Sequence, residues 1–136
     1  MKRSEINAAV REATRAFRRH HWALPPNPRW DVTDFGLGDF ARFGLTLVSL
    51  AEQPEYCEKV MYVRHGQVTP EHCHRAKKED IICRWGRLAM QIHGEGPARL
   101  LVNGVDRDVA TDPPLVLDAG ERITGTSRGL DTFDTT

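Results

Sequence analysis

The chain has 136 residues, with nineteen basic and nineteen acidic side chains and 40% apolar residues. That neutral balance excludes the basic footprint of a nucleic-acid binder and the polybasic face of a membrane-surface protein. No apolar run approaches the roughly 18 residues that span a bilayer. Three cysteines, Cys57, Cys73 and Cys83, with no CxxC pair, do not make a disulfide framework, so a cytoplasmic location is expected.

The N-terminal MKRSEINAAVREATRAFRRHH lacks the apolar core of a secretory leader. It reads as an amphipathic helix from Ser4 to about His20, capped by Ser4, with Ile6, Val10, Ala13 and Phe17 on one face. The helix stops at Leu24-Pro-Pro-Asn-Pro-Arg29, where the prolines remove donors and force an extended chain. Residues 1–29 are therefore expected to form a helix and linker packed on a β domain of residues 30–136, in a single compact domain overall. In WDVTDFGLGDF, Asp31, Asp34 and Asp39 read as turn and cap residues rather than as a second acidic site.

From Gly44 onward short apolar segments follow one another: GLTLVSL, EKVMYV, DIICRW, RLAMQI, ARLLV and PLVL. Glycines and the Pro113-Pro114 pair separate them, and Asn103-Gly104 is a strong hairpin signal between ARLLV and VDRDVA. Many short strands at regular spacing predict an antiparallel sandwich or small barrel.

The segment Gly66 to Gly86, GQVTPEHCHRAKKEDIICRWG, carries the chemistry. His72 and His74 are two residues apart, so on a strand their rings project from one face. Cys73 then points the other way and reads as a small buried residue. A turn through RAKK returns Glu79 toward the histidines. Two imidazoles and one carboxylate suit manganese, iron, zinc, nickel or cobalt. His20 and His21 read as helix C-terminal residues, His65 as a surface residue and His93 as a structural histidine.

The full spacing, Gly66-x5-His72-x-His74-x4-Glu79-x6-Gly86, resembles the first cupin motif at every fixed position. The resemblance implies an all-β cupin fold, a double-stranded β-helix or jelly roll, here with an N-terminal α-helix. MKRSEINAAVREA, WDVTDFGLGDF, YCEKVMYVRHGQVTPEHCH and KKEDII together resemble the D-lyxose ketol-isomerase family of cupin sugar isomerases. That resemblance implies a divalent metal, usually Mn2+, held by His72, His74 and Glu79, with Zn2+, Co2+, Ni2+ or Fe2+ as alternatives. It implies a small-molecule sugar substrate of the D-lyxose/D-xylulose type, converted between aldose and ketose through an enediol. Lys77 matches the family lysine and is the expected catalytic residue, with Lys78 the competing choice and Gln67 a pocket residue.

The second cupin motif departs from the pattern. Gly129 fits, but Ser127 stands where proline is expected and Thr132 where the fourth ligand histidine is expected, with Asp131 as the neighbouring substitute. The expectation is a degenerate or truncated C-terminal end, with an uncovered sheet edge that favours a homodimer. The competing function is a cupin that binds metal or sugar without turning it over. A two-histidine, one-carboxylate iron oxygenase is the third reading.

Overall fold

A computed structural model describes residues 1–72, 77–126 and 132–134, with side chains described through residue 125. The chain divides into two compact units, residues 1–64 and 65–136.

The first unit is a helix on a three-stranded antiparallel sheet. Helix α1 runs Arg3–Arg19 and takes Lys2, not Ser4, as its N-cap. The reason is electrostatic and local: Glu5 reaches back so that its carboxylate accepts the Lys2 backbone N–H at 2.6 Å, and its charge favours the helix N-terminus. The buried stripe is Ala9, Ala13, Ala16 and Phe17, one residue round from the expected face, with Ile6 and Val10 half-buried at its margin. His20 ends the helix and its ring stacks on Trp22 at 4.8 Å.

Strand β1 covers Arg29–Thr33, the short helix α2 Phe40–Phe43, β2 Leu45–Glu52 and β3 Cys57–Tyr62, in the sheet order β1-β2-β3. Trp30 pairs across from Val48, and Val48 from Val60. Phe17 lies parallel to Trp30 at 6.2 Å and edge-on to Tyr62 at 6.4 Å. That aromatic cluster is what the amphipathic helix was built to cover. Between β1 and β2, Asp34 accepts the Gly36 N–H at 3.0 Å and Asp39 caps α2 by accepting the Arg42 N–H at 3.1 Å. These two aspartates shape the loop, while Asp31 is exposed on β1.

The second unit is the jelly roll. Its strands are β4 (Lys78–Ile82), β5 (Arg87–Gln91), β6 (Ala98–Val102), β7 (Val105–Val109), β8 (Leu115–Asp118), β9 (Arg122–Thr126) and β10 (Thr132–Asp134). They form one sheet in the order β4-β9-β6-β7 and another in the order β10-β5-β8, with every pairing antiparallel. Among the described strands of this unit, the chain changes sheet at every connection except the β6–β7 hairpin. This winding makes an all-β, cupin-like jelly roll, with α1 as the N-terminal helix.

Alternate residues of both sheets supply one core, including Ile81, Met90, Ile92, Leu100, Leu117 and Ile123. The hairpin turn falls at Asn103-Gly104 as expected, with φ of 52° and 77°, which glycine adopts without strain and asparagine tolerates. Asn103 also ties the turn to the start of β9: its Oδ1 accepts the Arg122 N–H at 2.8 Å and its Nδ2 donates to Glu121 at 3.2 Å.

Of the cysteines, Cys57 is exposed and Cys83 is buried, and both are free thiols. Burial pushes the Cys83 thiol above its ordinary range. No helix among the described residues is long and apolar enough to cross a membrane.

Candidate metal centre

The motif glycines explain themselves in the backbone. Gly66 and Gly86 have φ of 79° and 76°, in the left-handed region that side chains with a Cβ rarely adopt. Open space surrounds both positions, so the requirement is conformational and not steric.

Between them, Gln67 and Thr69 are buried at 1% and 2% exposure on either side of a single bridge residue, Val68. Polar side chains buried this deeply require partners, and neither is without one. Gln67, for which the resemblance implied a place in the pocket and the residues alone a turn, is buried in the fold. Thr69, at the same alternation, was not singled out from the sequence. A threonine in a Val-Thr-Pro turn gives no signal of burial.

His72 follows in irregular backbone, half-buried. Its Nδ1 lies 2.9 Å from the Pro70 carbonyl oxygen. A carbonyl only accepts, so Nδ1 carries the proton and donates. Donation from Nδ1 leaves Nε2 as the ring nitrogen that a metal would take, the arrangement in which many histidines ligate metals.

His74 and Cys73 lie outside the described residues, as do Asp131, Ser127 and Gly129. Thr132 is described in its backbone alone and pairs with Gln91 where β10 meets β5.

Glu79 is on β4. The alternation of that strand turns Glu79 and Ile81 inward and Lys78, Asp80 and Ile82 outward. The Glu79 side chain is 17% exposed, at the margin of the apolar core. Across the sheet it pairs with Gly125 of β9, a buried position.

Lys77 precedes the strand. Its Nζ donates to Glu79 Oε1 at 2.7 Å. Lys77 pairs with Glu79, and Lys78 lies on the exposed, outward face of β4. His93, half-buried after β5, lies 3.5 Å from Glu71, the residue before His72.

Among the described residues, no three His, Cys, Asp or Glu side chains form a metal-holding group. Two members of the expected ligand set, His72 and Glu79, are described. Their chemistry fits a divalent ion, because one is an imidazole oriented through its Nδ1–H and the other an inward carboxylate.

The sequence profile of the D-lyxose isomerase family matches residues 27–135. The chain belongs to the D-lyxose isomerase family. It is 36% identical to a D-lyxose/D-mannose isomerase of Serratia proteamaculans across 90% of this chain and 72% of that protein. It is 31% identical to a D-lyxose ketol-isomerase of Cohnella laeviribosi across 91% of this chain and 74% of that protein. With a D-lyxose/D-mannose isomerase of Escherichia coli O157:H7 the identity is 38%, over 63% of this chain and 52% of that relative. The chain thus spans about half the length of the last of these and about three quarters of the other two.

Proposed function

We propose that this chain is a metal-dependent aldose–ketose isomerase acting on D-lyxose or a closely related sugar. Its membership of a family whose relatives are named D-lyxose isomerases supports the reaction class. The observation that carries the site is the inward placement of Glu79 on β4, with Lys77 just before the strand bonded to its carboxylate and a histidine upstream whose Nδ1–H is held by Pro70.

His72, His74 and Glu79 are the proposed ligands, and Mn2+ the proposed ion. A bound divalent ion supplies a Lewis acid for the sugar carbonyl. The chain's own residues do the rest. His72 is oriented by the Pro70 carbonyl, so its ring is held before any ligand arrives. Glu79 is anchored by the register of β4 on β9.

Lys77 is the residue proposed to contact the sugar. An ammonium has three N–H donors, so its bond to Glu79 is compatible with a second bond to a sugar oxygen. In the aldose-to-ketose direction a proton leaves C2 and one is returned to C1, while the O2 proton passes to O1. The role proposed for the Lys77 ammonium is to stabilise negative charge on those oxygens or to take part in the transfer.

The test is direct. Protein loaded with Mn2+ is incubated with D-lyxose and assayed for D-xylulose. Turnover that falls at least about a hundredfold in Glu79→Ala supports the reading. Absence of any product at full metal occupancy overturns it.

One feature favours a second reading, a binding protein without turnover. Thr132 occupies the place of the second motif's histidine. Saturable sugar binding by calorimetry, with no ketose formed over long incubation, would decide for that reading.

A further inference from the structure

We propose that Lys77 is a positioning residue that competes with a divalent cation for the Glu79 carboxylate, and so sets how tightly the site holds its metal. The inference rests on the reading of Glu79 as a ligand and goes beyond it.

The geometry is specific. Lys77 Nζ sits 2.7 Å from Glu79 Oε1, a charge-assisted bond at the short end of the range. The two residues are two apart in the chain, Lys77 just before β4 and Glu79 within it. Glu79 is 17% exposed and Lys77 52% exposed, so the carboxylate is held at the core margin while its partner reaches in from the solvent side. Lys78, the neighbouring ammonium, belongs to the outward face and is placed for no such contact.

A carboxylate that already carries an ammonium on one oxygen is a weaker ligand for a cation. A dication held by the other oxygen would share one carboxylate with the Lys77 charge, a separation on the order of 5 Å. At that distance, with the screening expected at a half-exposed site, the repulsion is worth roughly a tenfold loss of affinity. The same bond fixes the carboxylate's rotation and disfavours two-oxygen coordination. Lys77 therefore holds Glu79 ready in one orientation and keeps metal exchange possible.

The test is Mn2+ binding by isothermal calorimetry on the purified full chain after chelator treatment. Lys77→Met is expected to bind Mn2+ about tenfold more tightly than the wild type. Lys77→Arg keeps the charge and is expected to stay within about threefold of the wild type. A purely structural lysine would not give tighter binding on removal. Lys77→Gln serves as the second neutral variant, and thermal melts confirm that each variant is folded. Unchanged or weaker binding in both neutral variants overturns the proposal. The failure of the underlying reading is distinguishable: if Glu79→Ala binds Mn2+ as the wild type does, Glu79 is not a ligand and both fall. If Glu79→Ala loses the metal and the neutral Lys77 variants bind it no more tightly, only the present proposal falls.

Discussion

Arg64 and Glu12 are 52 residues apart in the chain and meet in a two-pronged ion pair: Arg64 Nη2 donates to Glu12 Oε2 at 2.6 Å, and its Nε lies 3.1 Å from both oxygens. The Tyr62 hydroxyl donates to the same carboxylate at 3.0 Å, and the guanidinium lies over the Phe40 ring at 5.1 Å. One acid on α1 therefore gathers the end of β3 and the short helix α2.

The Arg64 guanidinium is the main cause holding the Glu12 carboxyl below its ordinary 4.5, against an opposing contribution from burial. A group whose folded pKa is depressed adds stability above its unfolded pKa, and that stability is lost as pH falls through the folded value. The pair is about a third exposed on both sides, so its worth is modest. Glu12→Gln is expected to cost about 1 kcal/mol in urea unfolding at pH 7. The difference from the wild type should shrink as pH drops below 4.5, and a difference that persists unchanged into acid would show that charge is not its source.

Phe17 is 2% exposed and touches Trp22, Trp30 and Tyr62 through ring contacts. Phe17→Ala leaves a cavity under the helix and is expected to cost about 3–5 kcal/mol. Chemical denaturation followed by tryptophan emission reads this directly, since two of the contacting rings are indoles. A loss under about 1 kcal/mol would mean that the aromatic cluster is not what holds the helix down.

Asn103 does two jobs at once: it adopts φ of 52° in the turn and bridges to Arg122 and Glu121. Asn103→Ala keeps neither the tolerance for that backbone nor the bonds. The expected cost is about 1–2 kcal/mol. Asn103→Gly relieves the backbone and loses the bonds, so it should recover part of the difference. Equal melting temperatures for all three proteins would remove the bridging role.

His72→Ala and Glu79→Ala are each expected to lower Mn2+ content of the purified protein more than about tenfold without unfolding the jelly roll. Neither residue is in the core, since His72 is half-buried and Glu79 lies at the core margin. Unchanged metal content in the purified variants, measured by elemental analysis, would place the site elsewhere.

The parts legible from the sequence were those where pattern and physics coincide. Asn103-Gly104 announced its turn because its dihedral requirement is local. The strands of the core announced themselves because alternation with apolar residues is the signature of burial. β1 was harder: Arg29–Thr33 follows a proline-rich linker and carries an arginine and an aspartate on its outer face, so only Trp30 and Val32 mark it. β9 was harder still. Arg122–Thr126 reads RITGT, with Ile123 as its one large apolar residue, yet the strand lies between β4 and β6 in the sheet. Its neighbours, and not its composition, make it a strand.

At the site, spacing pointed to Glu79 and the histidines but could not choose between adjacent lysines. β4 starts at Lys78, whose side chain turns outward, while Lys77 lies just before the strand and bonds to Glu79. Ser4 failed as a cap for a related reason. A nearby carboxylate, Glu5, satisfied the backbone first.

The register of β4 on β9 has one more consequence. The residue facing Glu79 across the sheet is Gly125, so the adjoining strand contributes no side chain to that part of the wall. A β-branched residue there would put a side chain beside the Glu79 carboxylate without altering any charged group of β4. Gly125→Val is therefore a way to change the surroundings of the carboxylate while its charge partners stay as they are.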